Sequence, residues 1–485
     1  MTPPERKELA LEGLTGTKTR SDLATEHEVS RKFLRTQIEK ADEALDSAFG
    51  LNEEAEQHDG ILYEIQVTKK WLRQVVLCLV LHCHSSFRGA QDFLRDALDD
   101  KISLGTIHNI VMEAYENARR VNAQEDLSRI EVGAHDEIFQ GRKPVLVGVD
   151  PISTYDYLLA QEDSRDAETW AIHLLYLSDR GLKLKYTVAD FGKGLRAGQA
   201  EAWPGVPCRG DVFHAELEMG KMVIYLENRA YGCIGVVHDH ERKIAQARRK
   251  CKGCPSASSR LGHARKEEAQ SVQLAEDIRL LTQWVHEILE LRGPDLQTRR
   301  ELFDFIVGEL KAREHLARHR IRPVRVTLEN QRDHLLAFGE EIDQRLAGIA
   351  QEYGVPVEHV REVFELGRFA SDDPVYRQKN AALSKQLGPA YPAIQQAVEE
   401  VAETTVRASS IVENINSRLR PYFFLRRQLG PRYLELLRFF LNHRRYPRSR
   451  KDARAQKSPA EILQGKSLPG WLEQLGFAPF RRKAG

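Results

Sequence analysis

A chain of 485 residues, 41% hydrophobic and 29% charged, has material for more than one globular domain with a large core. It holds no apolar run of about 18 residues, its first residues lead into no apolar signal-peptide core, and its six cysteines form no disulfide framework. These features argue against a membrane protein and predict an intracellular one, cytoplasmic and nucleoid-associated if the host is bacterial. The net charge of +1 hides an asymmetry, because Arg418–Gly485 carries 17 Lys and Arg against 4 Asp and Glu. That charge is interleaved with aromatics, as in Arg444-Arg445-Tyr446, and suits a polyphosphate partner as well as it suits a solvated helix face.

Two short helices are predicted first. Ser21–Glu26 forms one, and Ser30 N-caps the second, which would bury Leu34 and Ile38 and expose Arg31, Lys32 and Arg35. This is the layout of a helix-turn-helix with its second helix in a DNA groove, although a plain helical hairpin reads the same way. A similar unit follows. It comprises a buried helix over Trp71–Leu81, another starting at Ser86, and a long helix capped by Ser103 whose Gly105, Thr106 and Asn109 suit close approach to a phosphate backbone. Residues 1–128 are therefore expected to be an all-α DNA-binding region.

From about Ile130 the period changes. Ile130–Asp136 alternates, Gly141–Pro144 turns the chain, Pro144–Asp150 is an apolar run typical of a central strand, and Tyr155–Ala160 makes a third strand. Helices over 169–177 and 192–203 flank a fourth strand at Leu184–Asp190, and Val206–Asp211 leads into a fifth. Residues 215 to about 400 read as helical. Glu413 and Arg420 then lie seven residues apart on one helix face, and the chain turns basic and irregular after Tyr446.

Three meandering strands followed by alternating helix and strand is the order of a ribonuclease H-like fold. The expected architecture is an α/β catalytic core over 129–218 and 401–446, interrupted by an all-α insertion over 219–400 and followed by a basic tail over 447–485. In such a fold the acids of the first and fourth strands are neighbours, and the last helix brings a third over them. Asp136, Asp190 and Glu413 fill these places. Asp150 competes with Asp136 but reads better as a strand-ending turn, Glu137 is turned away by alternation, and Asp190 also suits a helix cap. Three such carboxylates would hold two Mg²⁺ (or Mn²⁺) ions. One would activate a water or 3′-hydroxyl and the other would stabilise the leaving 3′-oxygen.

His135-Asp136-Glu137, Val188-Ala189-Asp190 and Val412-Glu413-Asn414-Ile415-Asn416 resemble the acidic triad of DDE transposases. Asp211-Val212-Phe213-His214, 21 residues after Asp190, resembles the Cys-or-Asp-x-x-His motif of the Mutator and hAT superfamilies, which carry a helical insertion at this point. The resemblance covers residues 129–225 and 405–465. It implies an enzyme that binds double-stranded DNA at terminal inverted repeats, hydrolyses a phosphodiester and joins the freed end to target DNA, working as a dimer or larger oligomer. Arg418 and Arg420 would contact the DNA backbone. Trp284, the only Trp of the insertion, would stack on a displaced base, although its apolar flanks suit a core Trp equally. Asp211 and His214 would orient the site or stabilise the strand end.

A structure-specific nuclease or resolvase, or a domesticated DNA-binding protein, are the other readings. Separately, Cys251-Lys252-Gly253-Cys254 with His238, His240 or His263 would suit zinc, or simply an exposed turn.

Overall fold

The computed structural model describes residues 1–49, 66–250, 255–407, 410–425, 430–449 and 452–478. They fall into two compact units, one ending at Lys69 and one spanning Lys70–Pro479.

The N-terminal unit is three helices, α1 (Pro3–Thr15), α2 (Arg20–Glu26) and α3 (Arg31–Ala48). Thr19 and Ser30 cap the second and third by accepting from Asp22 N and Phe33 N. The helix α1 was not foreseen. It starts where Glu5 accepts from the Thr2 backbone N–H at 2.6 Å, and it ends at Gly16, whose φ of 65° favours glycine. Leu9, Leu23, Ala24, Leu34 and Ile38 form the small core. Arg31, Lys32 and Arg35 are exposed on α3, but Arg31 donates to Ser21 Oγ at 2.5 Å and Arg35 pairs with Glu39 at 2.6 Å.

The second unit opens with α4 (Lys69–Leu81), α5 (Phe87–Leu98) and α6 (Leu104–Gln124). A five-stranded mixed sheet follows, with β1 (Val132–Gln140), β2 (Lys143–Val149), β3 (Asp156–Gln161), α7 (Ala167–Asp179), β4 (Tyr186–Ala189), α8 (Lys193–Ala202) and β5 (Cys208–Gly210) in chain order. Its spatial order is β3-β2-β1-β4-β5. The first three strands form an antiparallel meander through the tight turn at Gly141 (φ 63°), while β4 and β5 run parallel to β1. Period-2 alternation divides the faces. Gly133, His135 and Glu137 face α7 and α8, where Tyr157 OH meets His135 Nε2 at 2.8 Å and Trp170 Nε1 donates to Glu137 at 3.0 Å. Ala134, Val145, Val147 and Val149 face the other side and share a core with α4–α6. The expected boundary at residue 128 therefore falls inside this unit.

The insertion runs through α9 (Val212–Arg249), α10 (Pro255–Leu289), α11 (Leu296–Arg313), α12 (Arg318–Tyr353), α13 (Val357–Leu366), α14 (Pro374–Leu387) and α15 (Tyr391–Thr404). The helices α9 and α10 make a long antiparallel hairpin, tied by Glu216–His286 near its base and Glu241–Arg265 toward its tip. Arg209 of β5 pairs with Glu341 of α12 at 2.5 Å, so the insertion covers the sheet edge that β5 would otherwise expose. The chain then returns to the sheet. Val406 is buried with Val132, Tyr186 and Val188, and α16 (Ser410–Leu425) begins directly after.

The helix α16 carries a buried stripe of Val412, Ile415, Leu419 and Tyr422, each at most 2% exposed. Full burial of such side chains stabilises by about 1.5–3 kcal/mol each, which fixes the helix rotation over the sheet. Next come α17 (Gly430–His443), α18 (Pro459–Gln464) and α19 (Trp471–Gln474). The segment expected to be an irregular basic tail is folded over its described part. Ser458 and Glu461 form a capping box, Arg445 pairs with Glu461 at 2.6 Å, and Ala460, Leu463 and Leu475 are buried. Short, Pro-started helices in a basic sequence leave little periodic signal to read. Among the described residues, no helix is long and apolar enough to cross a membrane.

Candidate active site

In the parallel pairing of β1 with β4, His135 lies opposite Ala189. The next residue of each strand is an aspartate, so the register brings Asp136 beside Asp190 at the carboxyl end of β4. Both lie in phase with Val132 and Val188, on the face that α16 covers. Glu413 extends from the first turn of α16 over this end of the sheet, and Arg420 reaches back to it at 3.5 Å.

Asp136 is only 8% exposed, with Oδ1 accepting from Glu137 N at 2.8 Å and Oδ2 from Asn416 Nδ2 at 2.9 Å. Burial pushes its carboxyl up to about 6, and the negative charges of Asp190 and Glu413 push in the same direction. Asp136 thus lies within electrostatic range of both other acids. Among the described residues, however, no group of three or more His, Cys, Asp or Glu side chains is gathered as a metal-holding cluster. The chemistry of the donor set still fits a hard divalent cation: the donors are carboxylate oxygens, and one of them, Asp136, is buried and has no cationic partner in direct contact among the described residues.

Asp150 is accounted for by its own turn. It accepts from Ile152 N at 3.1 Å, from Ser153 N at 3.0 Å and from Ser153 Oγ, which closes the turn into β3. Glu137 faces the other side of the sheet and pairs with Arg165 at 2.6 Å. Asp190 accepts from Gly192 N at 2.8 Å, and Gly192 itself is the N-cap of α8, so Asp190 shapes the turn and does not cap the helix.

Asp211, fully buried, N-caps α9 by accepting from Phe213 N at 2.9 Å, and its other oxygen accepts from His214 Nδ1. That hydrogen bond, reinforced by the charges of Asp211, Asp136 and Asp190, lifts His214 to about 9 against its partial burial. His214 is therefore an imidazolium at neutral pH. It lines a cleft of about 410 Å³ together with Asp190, Arg165, Phe191 and Glu218. Two polar residues of the site escaped the sequence reading. Asn416 was legible in principle, because it lies one turn beyond Glu413. Arg165 lies in the loop before α7, where no period marks it.

The remaining candidates lie elsewhere. Arg418, five residues from Glu413 and so on another face, turns toward Tyr446, with its guanidinium 5.6 Å from the ring centre and Nη1 3.5 Å from the hydroxyl. Arg420 is exposed beside Glu413, whereas Arg418 packs against Tyr446. Trp284 is 37% exposed and stands 6.1 Å from Phe305, lining a separate cavity of about 500 Å³ that also includes Arg368. It is neither a core Trp nor part of the acidic cleft. His238 and His263 are exposed, and Cys251 and Cys254 lie outside the described residues.

No protein-family model matches the chain, and no curated protein matches it in sequence. The functional reading rests on the geometry.

Proposed function

We propose that this protein is a DDE-type transposase with a ribonuclease H-like core. The observation that carries the reading is the β1–β4 register, which sets Asp136 beside Asp190 with Glu413 of α16 in electrostatic range. The strand order, with an antiparallel meander and two further parallel strands, supports the ribonuclease H-like assignment. So does the helical insertion between β5 and α16.

Asp136, Asp190 and Glu413 would hold two Mg²⁺ or Mn²⁺ ions, which supply Lewis-acid activation of the attacking hydroxyl and stabilise the leaving 3′-oxygen. Asp211 fixes the ring of His214 by its hydrogen bond, and the resulting positive charge offsets the carboxylates and attracts a phosphate to the cleft. Arg165 adds a second cation on the same cleft. Arg420 exchanges its contact with Glu413 for the DNA backbone, and the exposed Arg31, Lys32 and Arg35 of α3 engage the element's ends. Terminal inverted repeats and target DNA are the substrates, and pairing two ends requires at least a dimer.

The discriminating experiment incubates the full chain with Mg²⁺ or Mn²⁺, a labelled fragment carrying the ends that flank its gene, and a plasmid target. Labelled ends joined covalently to plasmid support transposition. Cleavage without joining assigns a nuclease or resolvase. Specific binding without cleavage under either metal assigns a domesticated DNA binder.

A further inference from the structure

We propose that Asn416 is a fourth member of the acidic centre, in which its amide nitrogen clamps Asp136 and its carbonyl oxygen serves as a neutral donor to a divalent cation. This rests on the reading of Asp136, Asp190 and Glu413 as a cation site.

Asn416 is 3% exposed and lies one helical turn after Glu413, so the two side chains leave α16 from neighbouring positions. Its Nδ2 donates to Asp136 Oδ2 at 2.9 Å. That bond fixes the orientation of the amide, because the reverse would set a carbonyl oxygen against a carboxylate. The same planar group then carries Oδ1 beside Asp136. Among the described residues, Oδ1 is buried without a hydrogen-bond partner. Buried acceptors nearly always find a partner, so an orphan next to a carboxylate cluster marks a place for a cation or for something the cation carries.

The residue type fits the role. An aspartate here would add a fourth negative charge to a partly buried cluster. A leucine would fill the space and offer neither donor nor acceptor. Asparagine supplies a hydrogen bond to one carboxylate and a hard oxygen ligand without further charge. The rest of α16 neither needs nor provides such a group, since Val412, Ile415, Leu419 and Tyr422 already anchor the helix.

The test is Mn²⁺ binding by the full-length protein, measured by calorimetry or by electron paramagnetic resonance, with thermal unfolding in EDTA to show that each variant is folded. Asn416→Leu should weaken Mn²⁺ binding by about 10- to 100-fold. Asn416→Ala, a smaller disturbance to packing, should do the same. Asn416→Asp keeps an oxygen donor but loses the amide clamp on Asp136, so its binding should fall less than that of Asn416→Leu, and Asn414→Ala, on the exposed face, should not change binding. Wild-type affinity in a folded Asn416→Leu or Asn416→Ala variant, or an Asn416→Asp variant that binds no better than Asn416→Leu, overturns the role of Asn416 while leaving the triad intact. A wild-type protein that binds no Mn²⁺ overturns the cation reading of the three acids, and this inference with it.

Discussion

His214 donates through Nδ1 to Asp211, a carboxylate wholly removed from solvent that also caps the helix on which His214 sits. One aspartate therefore holds both the start of the insertion and the charge state of a cleft residue. The titration of His214 reports the second function. In wild type the imidazole should titrate near 9, and in Asp211→Asn, which keeps a capping oxygen, it should fall toward about 6.5, as read by NMR.

The sign of the stability effect follows. The folded protein binds this proton more tightly than the unfolded chain does. The stabilisation is fully present below the unfolded value of about 6.5 and is lost as pH rises through about 9. Denaturant unfolding should show the advantage of wild type over Asp211→Asn shrinking across that window, by about 1–2 kcal/mol after allowance for solvent screening.

Asp136 also loses stability as pH rises, in a lower window and because its charged form is disfavoured rather than because its protonated form is paired. Its folded carboxyl is raised to about 6, so ionisation costs stability that the folded protein escapes at low pH and carries in full above that value. Asp136→Asn should stabilise the metal-free protein at pH 8 by about 1–3 kcal/mol, with the difference vanishing below about pH 4. A buried acid that opposes folding in this way is a common stability–function compromise at binding sites. Mg²⁺ should recover part of the same energy in wild type, raising Tm at pH 8 and not at pH 4.5.

Arg418 and Arg420 should separate cleanly. Arg420→Ala removes an exposed cation beside Glu413. It should weaken DNA binding and flatten its salt dependence by about one ion while leaving Tm unchanged. Arg418→Ala removes the cation packed on Tyr446, whose hydroxyl also meets Thr154 at 2.6 Å, and should lower stability by about 0.5–2 kcal/mol with little change in the salt slope.

Much of this arrangement was legible because strands announce themselves by period and punctuation. The Val145–Val149 run, the glycine turn at Gly141 and the Asp150 turn mark the meander, and helical spacing alone pairs Glu413 with Arg420. The separation of Arg418 from Glu413 follows from helix geometry, since five residues rotate the side chain well away, and its packing on Tyr446 is visible only in the fold. The packing of α4–α6 against the sheet was hidden for a different reason. A buried helical face looks the same whether it meets another helix or a strand. The folded C-terminal segment was masked by its charge, since Ala460, Leu463 and Leu475 are few among many arginines. Helical spacing puts Asn416 one turn beyond Glu413, but its bond to Asp136 becomes visible only in the fold.

The most direct test of the central claim compares Asp136→Ala, Asp190→Ala, Glu413→Ala and Asp150→Ala in metal-dependent cleavage of the DNA ends flanking the gene, with end binding measured in parallel. The account predicts that the first three bind the ends but neither cleave nor join them. Asp150→Ala should retain cleavage in proportion to the folded protein it leaves. An inactive, folded Asp150→Ala beside an active Asp136→Ala would contradict the assignment of the first acid. Undiminished cleavage in all of the Asp136, Asp190 and Glu413 variants would contradict the site itself.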